Sequence, residues 1–117
     1  MTETRYKIVV YVPTSRATEI RDVMESVGAG KIGCYNACTF SAVGVGRFRP
    51  RQGAHPTIGA VGELTAVDEE RIETSAPRSL VTAVLAAVKR IHPYEQPVID
   101  LYVLEDPTDW FKGEQLP

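Results

Sequence analysis

The spacing of apolar residues switches between two periods along this chain, and the order of the switches limits the fold more than any other feature. Tyr6-Lys7-Ile8-Val9-Val10-Tyr11-Val12 is β-branched and aromatic and stops at Pro13, which reads as a central strand. Ala17, Ile20, Val23, Met24 and Val27 then recur at helical spacing. Thr14 or Ser15 stands where a cap is needed, and Gly28 or Gly30 where the helix can end in a left-handed conformation. Lys31 to Cys34 reads as a connector. Tyr35 to Val45 reads as a second strand with a bend at Gly44-Val45-Gly46. Arg47 to Ile58 carries two Pro and one Gly and reads as a loop. Val61 to Thr74 alternates as a strand with one half-exposed face. Ser75-Ala76-Pro77 opens a second helix with the stripe Leu80, Val81, Val84, Leu85 and Val88. The Pro-locked turn His92 to Pro97 leads into a last strand, Val98 to Leu104.

The resulting order, strand-helix-strand-strand-helix-strand (βαββαβ), is the split βαβ or ferredoxin-like plan. It predicts an α+β fold, an antiparallel sheet with two helices on one face. At 117 residues the chain is expected to form a single domain spanning 1–117, with a core over 5–105 and a tail over 106–117. Trp110 and Phe111 in that tail are expected to dock on the body or a neighbour. The uncovered sheet face carries Tyr11, Phe40 and Tyr102, which predicts a homo-oligomer that covers it.

Charge narrows the partners. Thirteen basic residues against fifteen acidic ones give a net charge of −2, which predicts no nucleic-acid or anionic-membrane partner. Aromatic interleaving of basic residues is confined to Phe48. No apolar run reaches the roughly 20 residues of a membrane span, and Met1 to Arg5 lack a leader pattern, so a cytoplasmic protein is expected. Cys34 and Cys38 on one extended strand would lie about 13 Å apart, too far for a disulfide or a shared ion. They are read as thiols, Cys38 structural and Cys34 the more exposed.

Three groupings offer chemistry. Arg47, Arg49 and Arg51 alternate beside Gly44 and Gly46. With Tyr94, and Lys31 in support, they suit a phosphate or carboxylate, because guanidinium forks match such groups at two points. The competing reading is a solvated loop whose arginines pair with acids. His92 and Glu95 flank a rigid turn and could hold a divalent metal, zinc or copper, with His55 or Cys34 completing the set. Alternatively, His92 caps carbonyls at the helix end and Glu95 pairs with an arginine. A third reading is a small enzyme using Cys34 or His92 as a thiol–imidazole pair. No nucleophile elbow or GxxxxGK[ST] is present, and an enzyme is the less favoured expectation.

Three segments together carry a resemblance: Gly30-Lys31-Ile32-Gly33-Cys34-Tyr35-Asn36-Ala37-Cys38-Thr39-Phe40, Gly44-Val45-Gly46-Arg47-Phe48-Arg49-Pro50, and His92-Pro93-Tyr94-Glu95-Gln96-Pro97. Over about residues 5–105 the chain resembles the YqfO-type domain of the NIF-three-like family, in free-standing form. That domain is similar to CutA and to the PII signalling proteins. The resemblance implies a ferredoxin-like homotrimer and a binding or regulatory module that takes a small anion or metal in inter-subunit clefts. It also implies that the connection between strands two and three, here Arg47 to Ile58, makes the contacts that signal. The larger members keep a dinuclear metal centre in a separate core domain. This chain is too short to include that core, so neither the centre nor a hydrolase activity is expected here.

Overall fold

The computed structural model describes residues 3–111. The chain builds β1 (Arg5–Pro13), α1 (Ala17–Ser26), β2 (Phe40–Phe48), β3 (Thr65–Pro77), α2 (Arg78–Ile91) and β4 (Ile99–Leu104). The strands form one antiparallel sheet in the order β2-β3-β1-β4. This is the expected α+β, ferredoxin-like arrangement.

The alternation in β1 explains its central place. Ile8, Val10 and Val12 point to the helices, and Val9 is also fully buried on the opposite face. A strand buried on both sides reads as a continuous apolar run. The core between sheet and helices joins Ile8, Val10 and Ile72 to Ile20 and Met24 of α1 and Val84 and Val88 of α2. Truncating any of the large members would cost about 2–5 kcal/mol.

Neither helix start has a side-chain cap, so the hydroxyl cap expected for α1 at Thr14 or Ser15 is not made. Arg16 precedes α1, without a side-chain cap, and forks onto Glu19 at 2.9 Å through both nitrogens. At α2, Pro77 precedes the first turn and the distant Glu3 carboxylate accepts from the Ser79 N–H. Gly28 ends α1 with φ +99°, as expected.

Four boundaries depart from the sequence reading. Lys31 to Cys34 are a connector as expected, but Tyr35 to Thr39 extend it and are not the start of β2. Gly33 and Ala37 adopt positive φ there, and a bridge joins Ile32 to Tyr35. Its anchor is Gly30 (φ +82°), where a side chain would strike the Cys38 backbone. Gly44 and Gly46 sit inside β2 in regular register, not at a bend. Arg47 and Phe48 end β2 and are not loop residues. Ser75 to Pro77 finish β3, with buried Ala76 paired to Tyr6, and do not open α2.

The open face of the sheet is polar and aromatic. Lys7 contacts Glu73 at 3.1 Å, Arg71 contacts Glu73 at 3.0 Å, and Arg71 donates to the Tyr11 hydroxyl at 2.9 Å. The hydrogen bond from Lys7 leads in holding the Glu73 carboxyl below the usual carboxylate range. After β4 a short 3-10 turn, Pro107–Trp110, leaves the Trp110 ring 77% exposed, with its indole N–H on Glu105. Trp110 therefore does not dock on the body of its own chain. Residues 112–117 of the expected tail lie outside the described residues. No helix among the described residues is long and apolar enough to cross a membrane.

Candidate functional site

Register creates the site. β1 ends at Pro13, opposite Glu69, while the β2–β3 hairpin continues through Asp68, Val67, Ala66 and Thr65. The hairpin therefore projects past the sheet, and the 49–64 loop at its tip must go somewhere. It folds back. Gly62 N–H donates to the Pro50 carbonyl at 2.8 Å, and Pro50 is buried. The loop then meets the 92–97 turn. The His55 backbone N–H donates to both Glu95 carboxylate oxygens, at 3.0 and 3.3 Å, and the Thr57 hydroxyl donates to the Pro93 carbonyl at 2.7 Å.

The turn is itself fixed to the sheet through His92 and Tyr94. His92, 8% exposed, spends both ring nitrogens inside the chain. Nδ1 accepts from the Tyr94 N–H at 3.0 Å, so Nε2 carries the proton and donates to the Tyr11 carbonyl at 2.7 Å. Burial pushes the imidazole pKa below its ordinary value, opposed by the bond to Tyr11. The Tyr94 hydroxyl donates to Glu69 Oε2 at 2.7 Å. Burial, and then that bond, raise the phenol well above its usual range. Gly46 is explained here: a side chain at that position would collide with the Glu69 carboxylate.

Between hairpin, loop and turn lies a cleft of about 610 Å³. Arg47, Arg49, Arg51 and Tyr94, four of the expected ligand residues, line it together with Gly46. None of the three guanidinium groups has a hydrogen-bond or ion-pair partner among the described residues. Among the described residues the competing expectation, arginines paired with acids, is not met. Gly44 does not line the cleft, and the space over Gly46 is filled by Glu69 rather than open to a ligand. Lys31 lies elsewhere, its carbonyl accepting from Arg5.

The expected metal set is not gathered within one chain. Among the described residues no three His, Cys, Asp or Glu side chains stand together as a metal-holding group. His92 has both ring nitrogens bonded inside the chain, and Glu95 accepts one backbone N–H, that of His55. Cys34 belongs to the connector that hangs from Ser75, where Gly30 N–H donates to the Ser75 carbonyl and Thr74 to the Cys38 carbonyl. His92 is anchored at Tyr11, opposite Arg71, with both ring nitrogens already bonded to other groups, so Cys34 and His92 form no thiol–imidazole pair among the described residues. Both cysteines are free thiols, Cys34 exposed. Sequence reasoning missed Glu69, Thr57 and the wall residue Phe48. Glu69 sits in the run Asp68-Glu69-Glu70, which looks like a solvated strand edge until the register pairs it with Gly44 and its carboxylate lies over Gly46.

No family model matches the chain. A relative from Halalkalibacterium halodurans, a GTP cyclohydrolase 1 type 2 homolog, is 44% identical over 103 residues, covering 88% of this chain and 28% of that protein. The crystal structure of a Bacillus cereus protein related to NIF3 superposes with a TM-score of 0.80 at 42% identity, over 91% of this chain and 27% of that one. The periplasmic divalent cation tolerance protein CutA from Archaeoglobus fulgidus shares the fold alone, at a TM-score of 0.63 and 19% identity over 87% of this chain and 85% of that one. This chain thus spans just over a quarter of the length of the curated relatives it matches. By identity over nearly its whole length the chain corresponds to one domain of NIF-three-like proteins, and its fold is the one seen in CutA and GlnK.

Proposed function

We propose that this domain is an oligomeric, non-enzymatic binding module that takes a small anion in the cleft between the 49–64 loop and the 92–97 turn. The observation that carries the reading is the trio Arg47, Arg49 and Arg51, unpartnered and lining one cleft with Tyr94. Guanidinium groups bind phosphate and carboxylate through parallel N–H donors, at about twice the strength of neutral hydrogen bonds. The loop is the transmitting element. Only a few bonds hold it to the turn, and ordering costs about 1–2 kcal/mol per residue, so a ligand that bridges loop and turn can bias its shape.

Assembly follows from the same geometry. The sheet ends in two unpaired edges, β2 and β4, where Phe40, Val43, Tyr102 and Val103 are exposed. Exposed strand edges with apolar side chains are stable when another copy covers them. A homotrimer that places this cleft at a subunit boundary is the arrangement we favour.

Calorimetric titration of the full chain with inorganic phosphate at low salt tests the ligand. Binding that is lost in an Arg49→Ala, Arg51→Ala double variant is the expected result, and absence of binding removes the anion reading. Light scattering tests assembly: three chain masses are expected, and a solitary chain at working concentration removes the oligomer.

A further inference from the structure

The cleft is larger and more apolar than a bare inorganic anion requires. Its volume of about 610 Å³ falls in the range of sites that enclose small organic molecules, about 300–1,000 Å³. Phe48, Pro50, Pro56, Ile58 and Val98 supply its walls. Phe48 stands edge-on to the Tyr94 ring at 5.9 Å between centroids, a rigid aromatic corner. Val98 remains 53% exposed at the lining, apolar surface that a ligand body would remove from water.

Charge points the same way. Glu69, Glu95 and Asp100 line the cleft as well, so three carboxylates balance three guanidinium groups without contacting them. A lining of zero formal charge exerts little long-range pull on an anion. Retention then depends on short-range forks from the arginines plus apolar contact.

Resting on the anion reading above, we infer that the ligand is an organic anion: a phosphate or carboxylate head on an apolar body of at least one aromatic ring. The head meets Arg47, Arg49 and Arg51, and the body lies against Phe48 and Ile58. Specificity for the body resides in the hairpin tip and the loop, while the head is held by arginines that any phosphate or carboxylate can use.

The experiment compares inorganic phosphate with phenyl phosphate by calorimetry on the full chain. Phenyl phosphate is expected to bind about tenfold tighter or more, the worth of one ring taken out of water. Phe48→Ala is expected to bring the ratio of the two affinities to about one. Ile58→Ser repeats the test on the opposite wall should Phe48→Ala fail to fold. Equal affinity for the two probes overturns this inference and leaves the anion reading standing. Binding of neither overturns both. A phenyl advantage that survives both substitutions puts the body elsewhere and overturns the assignment.

Discussion

His92 and Arg49 stand at the same end of the sheet, a few residues from the same cleft, and use their polar atoms in opposite ways. His92 spends its donor on the Tyr11 carbonyl and its acceptor on the Tyr94 N–H, both inside the chain. Arg49, like Arg47 and Arg51, spends nothing on the described residues. Satisfied polar groups in a folded chain fix geometry. Unsatisfied ones at the surface of a cleft are available to a partner. The contrast separates a turn held by its own hydrogen bonds from arginines that make none among the described residues, and it can be broken or sharpened by substitution.

The largest effect is expected at His92. His92→Leu strands the Tyr11 carbonyl and the Tyr94 N–H, each left without a partner in a buried place. It should cost about 2–4 kcal/mol in urea unfolding. A loss under about 0.5 kcal/mol would show that the imidazole is not structural. The same residue sets a pH dependence. Its folded pKa lies below the unfolded value of about 6.5, so the unfolded chain takes the proton first. Stability should therefore fall as pH drops below about 6.5 and level off once the folded imidazole also protonates. His92→Leu should flatten the urea midpoint between pH 7.5 and 5.5, and an unchanged slope would assign the effect to another group.

Tyr94→Phe removes one bond, to Glu69, and keeps the ring. A cost of about 1–2 kcal/mol is expected, since the charged acceptor is left half-buried. Glu95→Ala releases the loop from the turn without touching the core. Global stability should change by less than about 1 kcal/mol, while the His55 amide exchanges with solvent markedly faster by NMR. The smallest effect is expected at Arg49→Ala, within about 0.5 kcal/mol in unfolding, because no intramolecular partner is lost. A larger loss would mean that the arginines also serve the fold.

The architecture was legible in the sequence because period alone distinguishes strand from helix. β1, the stripes of α1 and α2, and β4 follow directly from it. The start of β2 was not, because Tyr35 to Thr39 reads as extended while Ala37 takes a left-handed turn that no residue type announces. Ser75 to Pro77 looked like a helix start because Pro suits a first turn, yet Ala76 was drawn into the sheet by pairing with Tyr6. At the site, the arginines and the turn were each visible locally. Their meeting depends on how far the β2–β3 register outruns β1, a long-range quantity. For His92 the sequence left ligand and cap both open. The acceptor it meets, the Tyr11 carbonyl of β1, lies 81 positions away and was named by neither reading.

The tether at His55 works through its main chain. Glu95 grips an amide that nearly every amino acid possesses, and the exposed imidazole above it makes no bond among the described residues. Position 55 can thus drift through almost any side chain with the strap intact. Proline alone, lacking the hydrogen that Glu95 needs, would unfasten it.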